Sequence, residues 1–300
     1  MLPAGMAGTP DRWAQWLTDR RDASDGEQRR LSLERLAPIR DRVLDQAGAL
    51  EGATVLDVGC GDGLLGLAAL QRVGPGGAVI FADISPSLLE HAEQAARDCG
   101  AVGRARFVRA RAEDLAEVAD GSVDVIMTRS VLIYVADKPA AFAAMRRVLR
   151  PGGRISLFEP INELMYPEPR DRLWGYDVSP VGHLADKVKD VFDRLSDPAT
   201  ISMTDFDDRD LVRYAVDAGF PEVHLTLELD VAPGARRAAS FDSMLDSAPN
   251  PLAPTLREAI RDALDEDERG QLLDHLRDMF VSSQPRQLWA GAYLTAQGAA

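Results

Sequence analysis

The chain has 300 residues, of which 46% are hydrophobic and 27% are charged, as in globular and not in disordered proteins. Its net charge of −14 makes nucleic acid or an anionic membrane a poor partner, because like charges repel. Two cysteines, Cys60 and Cys99, are too few for a disulfide framework or a four-cysteine zinc site. The first residues lack the apolar segment of a secretory signal, and no apolar stretch is long enough to span a membrane, so we expect a soluble, cytoplasmic protein.

Residues 1–50 are polar and arginine-rich, with apolar residues at helical spacing, and we expect them to form helices. From residue 51 to residue 160, strand and helix patterns alternate. Short apolar runs predict five buried strands, at 53–59, 78–83, 104–110, 122–128 and 154–160. One of the intervening helices begins with Ser85 as its cap and Pro86 at its first position. Such alternation predicts a parallel sheet with helices on both faces.

The alternation stops after Pro160. Residues 161–203 mix aromatic side chains with prolines and charges, which is typical of a functional insertion in an α/β fold. Two later strands are predicted at 222–231 and 287–297, with a helical insertion at about 238–280 between them. The sequence therefore predicts four segments: a helical lid (1–50), a ligand-binding core (51–160), a substrate-cap insertion (161–203) and the C-terminal part of the core (204–300).

The most specific motif is the segment VLDVGCGDG at residues 55–63, which follows a predicted strand and precedes a predicted helix. Gly59, Gly61 and Gly63 permit positive φ angles and let a ligand approach the backbone closely. The helix that follows offers free N–H groups at its N-terminus. Asp83 ends the next strand about 20 residues on, where a carboxylate accepts hydrogen bonds from ribose hydroxyls.

Two details separate this loop from a dinucleotide-binding loop. Counted from the first glycine, Gly59, the G-x-G-x-x-G pattern would place its third glycine at position 64, where Leu64 stands, and the next glycine is Gly66. In addition, Asp57 precedes the first glycine by two residues, where a carboxylate would repel a pyrophosphate and attract a ligand ammonium group. A ligand with an ammonium group, a carboxylate and a ribose fits both features.

Together with the later segments FADIS, RAEDL and LRPGGRISLFEP, this motif resembles class I S-adenosylmethionine-dependent methyltransferases, most closely their small-molecule branch. The resemblance implies a Rossmann-like α/β fold with a mostly parallel seven-stranded sheet flanked by helices and with helical cap insertions. It also implies S-adenosylmethionine as the cofactor. It covers residues 50–160 firmly and the C-terminal strands loosely.

The resemblance further implies roles for individual residues. Asp57 and the loop from Gly59 through Cys60 and Gly61 to Gly63 would hold the methionine part of the cofactor. Asp83 would hold the ribose, and Ile84 would pack on the adenine. Ala112, Glu113 and Asp114 match the segment that lines the adenine, although Arg111 stands where relatives often have an acidic residue. Arg129, within Thr128–Val131, would face the sulfonium and the acceptor, or form a salt bridge on the surface.

Methyl transfer from a sulfonium needs alignment and a dry site more than an acid or base. Two side chains are nevertheless candidates for catalysis. Glu159 ends the fifth strand, where it would serve as an acceptor-site carboxylate or an ordinary salt-bridge partner. His183 lies in the insertion 161–203, and its imidazole titrates near neutrality. Aromatic residues around this region, Tyr134, Tyr166, Trp174 and Tyr176, would form either an acceptor wall or part of the core.

The sequence thus predicts a methyltransferase acting on an oxygen or nitrogen atom, with carbon as a further choice, of a small organic acceptor such as a specialised metabolite. We expect no metal ion, no nucleic acid and no membrane partner, and a monomer or homodimer. Two alternatives remain at this stage. One is a nicotinamide-dependent oxidoreductase on a related sheet, and the other is a non-catalytic cofactor-binding protein on the same fold.

Overall fold

The computed structural model describes residues 11–194, 202–233 and 238–299. Parts of the predicted lid, first insertion and C-terminal segment lie outside the described residues, at 1–10, 195–201, 234–237 and 300. Helices and strands follow one another along the chain as α1 (Arg12–Gln15) with a π-helical turn (Trp16–Arg20), α2 (Gly26–Gln46), β1 (Thr54–Val58), α3 (Leu64–Arg72), β2 (Ala78–Asp83), α4 (Pro86–Asp98), β3 (Ala105–Arg109), β4 (Val123–Arg129), α5 (Lys138–Val148), β5 (Leu149–Pro160), α6 (Asn162–Met165), β6 (Arg172–Leu173), β7 (Tyr176–Asp177), α7 (Gly182–Arg194), α8 (Asp208–Asp217), β8 (Glu222–Pro233), α9 (Phe241–Asp246), α10 (Leu256–Ala263), α11 (Glu266–Ser282) and β9 (Arg286–Gln297).

Seven strands form one sheet in the order β3-β2-β1-β4-β5-β9-β8. Strands β1 to β5 are parallel, and β9 pairs antiparallel with both β5 and β8. The predicted mostly parallel, seven-stranded sheet is therefore confirmed. Strand order reverses between β1 and β4, and at such a reversal the carboxyl ends of the strands open a crevice that binds ligands.

Local sequence explains most of these elements. Ser85 caps α4 by accepting a hydrogen bond from the Leu88 N–H, and Pro86 occupies the first turn, as predicted. Strand β1 buries Val55, Leu56 and Val58, so both of its faces are covered by helices. The fifth strand begins earlier than the predicted 154–160, because β5 already starts at Leu149 and pairs with β4 across an irregular register.

A separate hydrophobic cluster stabilises a smaller unit, which we call the cap. The cap comprises the described residues of 161–194 and 238–282 and contains the short β6–β7 hairpin with helices α7, α9, α10 and α11. Its interior packs Leu184, Val188, Ile260 and Leu276 away from the sheet. The first insertion is thus more regular than the sequence indicated, because α7 is an amphipathic helix of 13 residues. No helix in the described part of the chain is both long and apolar enough to cross a bilayer.

Candidate active site

A large cleft lies between the carboxyl ends of the strands, the cap and the N-terminal residues 11–25, which we call the lid segment. Its volume is about 2040 Å³. The lid segment joins both units across the cleft. On the core side the Ser85 hydroxyl donates to Asp11 Oδ2 at 2.7 Å, and on the cap side the Trp16 indole N–H donates to the Ala248 carbonyl at 2.9 Å.

The glycine loop forms the floor of this cleft between β1 and α3. Gly59, Gly61 and Gly63 have φ angles of +65°, +55° and +95°, all in the left-handed region that favours glycine. A Cβ atom on Gly59 would lie 2.3 Å from the Val131 side chain, so only glycine fits there. Leu17 of the lid segment packs over Gly61, which covers the loop from the solvent side.

Asp57 ends β1 beneath this loop and is 1% exposed. One of its oxygens, Oδ2, accepts a hydrogen bond from the Gly66 N–H at 2.8 Å. Burial raises the pKa of this carboxyl to about 8, because the Gly66 N–H and the charge of Arg129 offset only part of the cost of removing the carboxylate from water. The carboxylate is therefore suited to a cationic ligand group.

Asp83 ties the glycine loop to the end of β2. Its Oδ2 accepts from the Gly61 N–H and its Oδ1 from the Ser85 N–H, both at 2.9 Å. Burial raises the pKa of the Asp83 carboxyl, and these backbone hydrogen bonds oppose the shift. Each carboxylate oxygen has a second lone pair, so the pair of oxygens can also accept from two neighbouring hydroxyls.

The other predicted cofactor contacts lie along the same wall. Ile84 presents 42% of its surface to the cleft, an unusual exposure for an isoleucine. Ala112 is buried, Glu113 pairs with Arg111 at 2.8 Å, and Asp114 accepts from the Ala116 N–H. The Cys60 side chain is buried under the loop and burial raises the pKa of its thiol, so Cys60 contributes its backbone and not a thiolate.

Arg129 is the last residue of β4 and lines the cleft beside the glycine loop. The alternative role as a surface salt-bridge partner is wrong, because within the described residues Arg129 makes no ion pair, and its one polar contact is to the Ser130 hydroxyl at 3.3 Å. Arg21 of the lid segment also lines the cleft, and the sequence analysis missed it. No signal in the sequence singles it out, since arginines are common throughout residues 1–50.

Glu159 takes neither of the two roles considered for it. Its side chain is fully buried, and its carboxylate accepts hydrogen bonds from the N–H groups of Val131 at 2.9 Å, Leu132 at 3.0 Å and Ile133 at 3.3 Å. Burial outweighs these bonds and raises the pKa of Glu159 to about 7. Glu159 therefore acts as a positioning residue that holds the loop after β4.

His183 is not brought to the cleft. It lies in the first turn of α7 with an exposed side chain, because this helix buries Leu184, Ala185, Val188 and Val191 on its inner face. The physical reason is the amphipathic pattern of α7, which places position 183 on the solvent side.

The four candidate aromatic side chains, Tyr134, Tyr166, Trp174 and Tyr176, do line the cleft. Tyr134 packs edge-on against Trp13 of the lid segment with ring centroids 5.0 Å apart. Trp174 contacts Phe192 inside the cap. Within the described ranges, no three histidine, cysteine, aspartate or glutamate side chains come together as metal ligands.

Comparisons with known proteins agree with this site. A family model described as a methyltransferase domain matches residues 55–153. A ubiquinone/menaquinone biosynthesis C-methyltransferase of Shewanella sp. (strain ANA-3) is 35% identical over 202 residues, which cover 66% of this chain and 78% of that protein. A second such enzyme, from Shewanella piezotolerans, is 36% identical over 187 residues, or 61% of this chain and 72% of that one.

Two solved structures share the fold. The YcgJ protein from Bacillus subtilis matches with a TM-score of 0.52 and 17% identity, covering 87% of this chain and 98% of that one. A geranyl diphosphate methyltransferase in complex with S-adenosylmethionine matches with a TM-score of 0.50 and 19% identity, covering 97% of this chain and 96% of that one.

The chain belongs to the class I S-adenosylmethionine-dependent methyltransferases. It is an enzyme, and its cofactor is S-adenosylmethionine, as the sequence predicted. The membership decides against the nicotinamide-dependent alternative. The residues present fit this cofactor, because the buried acid Asp57 suits a cationic ligand, Asp83 has free lone pairs for hydroxyls, and Ile84 offers an exposed apolar surface.

Proposed function

We propose that this enzyme transfers a methyl group to a carbon atom of a bulky, largely apolar acceptor. The observation that carries the proposal is the continuity of the cleft, which runs from the glycine loop into the aromatic surroundings of the cap. The sequence left oxygen, nitrogen and carbon open. Carbon is favoured by the relatives named as C-methyltransferases, which cover two thirds of the chain.

The size of the cleft supports a bulky acceptor. A drug-sized ligand occupies a pocket of roughly 300–1,000 Å³. The cleft holds about 2040 Å³, which leaves room for a second molecule of substantial size beside the cofactor. Its walls include Trp174 and Met244 of the cap and Leu288 and Trp289 of β9, so this second molecule meets mostly apolar side chains.

We assign the cofactor contacts as the sequence predicted them. Asp57 binds the ammonium group, Asp83 binds the ribose hydroxyls, Ile84 packs on the adenine, and residues 112–114 line its edge. When bound, S-adenosylmethionine supplies an electrophilic methyl group on a cationic sulfur. The protein orients the two reactants and excludes water, and the lid segment contributes by covering Gly61 with Leu17.

The test is a methylation assay with S-adenosylmethionine labelled in the methyl group. The acceptor panel pairs each apolar hydroquinone or enol with its O-methylated analogue and with an amine of the same size. Asp83→Ala serves as the variant without cofactor binding, and Arg97→Gln, on the exposed face of α4, serves as the matched control. Fragmentation of the product then locates the label.

We expect the label on a carbon atom of an apolar hydroquinone or enol in the wild type and in Arg97→Gln. Label found on oxygen or nitrogen alone would contradict the carbon assignment. Binding of S-adenosylhomocysteine without turnover of any acceptor in the panel would contradict the proposed acceptor class.

A further inference from the structure

Two guanidinium groups face the cleft, and one of them, Arg129, has no carboxylate partner within the described residues. We call Arg21 and Arg129 the arginine pair. Arg129 makes no ion pair within the described residues, and it uses one of its five N–H donors, toward Ser130. Arg21 contacts the neighbouring Asp22 at 3.3 Å, but Asp22 also accepts a shorter hydrogen bond from Ser32 at 2.6 Å.

The charged groups nearest to Arg129 are already committed elsewhere. Glu159 gives its oxygens to three backbone N–H groups. Asp62 of the glycine loop lies 3.7 Å from Arg29, and Tyr134 carries a neutral hydroxyl whose pKa is raised by burial. Arg21 brings a second positive charge, which together with burial lowers the pKa of Arg129.

A buried cation that lacks a partner is costly, and a ligand anion removes that cost. The cleft has an acidic side and a basic side. Asp57, Asp62 and Asp83 lie on the side of the glycine loop, where a cationic cofactor is favoured. The arginine pair lies next to them, toward Tyr134 and the lid segment, where an anion is favoured.

We propose that the arginine pair is an oxyanion site, and that the acceptor binds there as a phenolate, an enolate or a carboxylate beside the cationic sulfur. The inference rests on the proposed function and names the class of its acceptor. Planar guanidinium groups suit such oxygens, because they offer parallel N–H donors in a fixed fork. A phenolate or enolate held through its oxygen keeps electron density on its ring or double bond, which favours carbon as the nucleophile.

The carboxylate of the cofactor is also an oxyanion that arginine side chains bind. The experiment therefore tests the acceptor oxyanion and the cofactor carboxylate in separate arms. The first arm uses 4-nitrophenol, at a pH where it is the phenolate, and neutral 4-nitroanisole as the isostere without an ionisable hydroxyl. Calorimetry measures the affinity of both for enzyme saturated with S-adenosylhomocysteine. The variants are Arg129→Gln and Arg21→Gln, with Arg129→Lys as the charge-conserving change and Arg97→Gln as the control away from the cleft.

We expect the wild type to bind the phenolate about tenfold more tightly than the anisole, as a charge-assisted hydrogen bond predicts. The ratio should fall to about one in both glutamine variants, recover in part in Arg129→Lys and stay unchanged in Arg97→Gln. An equal ratio in wild type and both glutamine variants would overturn the site. Arg21 belongs to the lid segment and not to the sheet, so Arg21→Gln tests the site even if Arg129→Gln folds poorly.

The second arm compares S-adenosylhomocysteine with its decarboxylated analogue. We expect Arg129→Gln to leave the affinity for both within a factor of about two. If it weakens S-adenosylhomocysteine alone, the arginine pair holds the cofactor carboxylate and the acceptor assignment is wrong. The inference and the proposed function fail separately. Carbon methylation with a ratio of phenolate to anisole affinity that is unchanged across the variants refutes only the oxyanion site. Phenolate binding without methylation refutes only the proposed function.

Discussion

The buried carboxyl of Glu159 makes the stability of the protein depend on pH in a defined direction. Its ordinary pKa of 4.5 is raised to about 7 by burial, against three backbone hydrogen bonds that favour the charged form. The folded protein therefore holds a proton over a pH range in which the unfolded chain has lost it. Stability from this group is fully present below its unfolded pKa and declines as pH rises toward the folded value.

The size of the effect follows from the two pKa values. A rise in the pKa of Glu159 from 4.5 to about 7 corresponds to about 3 kcal/mol of free energy of unfolding, because one pKa unit is worth about 1.4 kcal/mol. Glu159→Gln removes this titration and leaves an amide of the same shape. The amide nitrogen then faces a backbone N–H, which costs about 1–3 kcal/mol at every pH.

Urea denaturation of the wild type and Glu159→Gln measures the free energy of unfolding from about pH 4 to about pH 8. We expect the variant to be the less stable protein at the acid end and to gain about 3 kcal/mol relative to the wild type on going to the alkaline end. Burial also raises the pKa of Asp57, but that group is common to both proteins and cancels in the difference. Glu34→Gln, an exposed change on α2, should run parallel to the wild type.

A constant difference between wild type and Glu159→Gln over the whole pH range would refute the reasoning. It would mean that the pKa of Glu159 is the same in the folded and unfolded protein, and that the three N–H groups balance the cost of burial. A loss of cooperativity in either transition would show that the loop after β4 unfolds separately from the sheet.

Three further predictions test the cofactor site, the floor of the cleft and the lid segment. Binding of S-adenosylmethionine should release a proton from Asp57, whose pKa is about 8 without ligand. The affinity for the cofactor should therefore rise about tenfold per pH unit below that value. Calorimetry in two buffers of different ionisation enthalpy measures the proton release. Gly66→Ala places a methyl group 2.2 Å from a buried phenylalanine ring and should lower the free energy of unfolding by about 1–3 kcal/mol in urea denaturation. Trp16→Phe removes the indole N–H that donates to the Ala248 carbonyl. The free energy that holds the lid segment on the cap should fall by about 1 kcal/mol, which is measured as faster hydrogen exchange in the lid segment.

Each of these has a control within the chain. Asp57→Asn should abolish the proton release, and release that persists in this variant would place the proton elsewhere. Gly103→Ala meets no atom within 4 Å and should leave stability nearly unchanged. Unchanged exchange in Trp16→Phe would contradict the role of the indole hydrogen bond, and would leave the Arg20 contacts with Ala248 and Glu258 to hold the lid segment on the cap.

Features set by neighbouring residues were predicted well. The glycine loop, Asp57, Asp83 and the start of α4 at Ser85 all follow from short patterns, because backbone angles and helix caps depend on residues close in sequence. The boundary of β5 was missed, since pairing with β4 continues the strand through a segment whose composition favours a turn. Helix α7 was also missed, as its apolar face is covered by the distant helices α10 and α11 of the cap.

The sequence by itself determined the class of enzyme and its cofactor, because the loop that receives the cofactor is built from consecutive residues with distinctive backbone needs. Only the tertiary structure decided what surrounds the acceptor. Glu159 turns toward backbone N–H groups, His183 turns to solvent, and Arg21 lines the same cleft as Arg129 although more than a hundred residues separate them in the chain. These outcomes depend on which faces of distant elements pack together, and no local pattern encodes that choice.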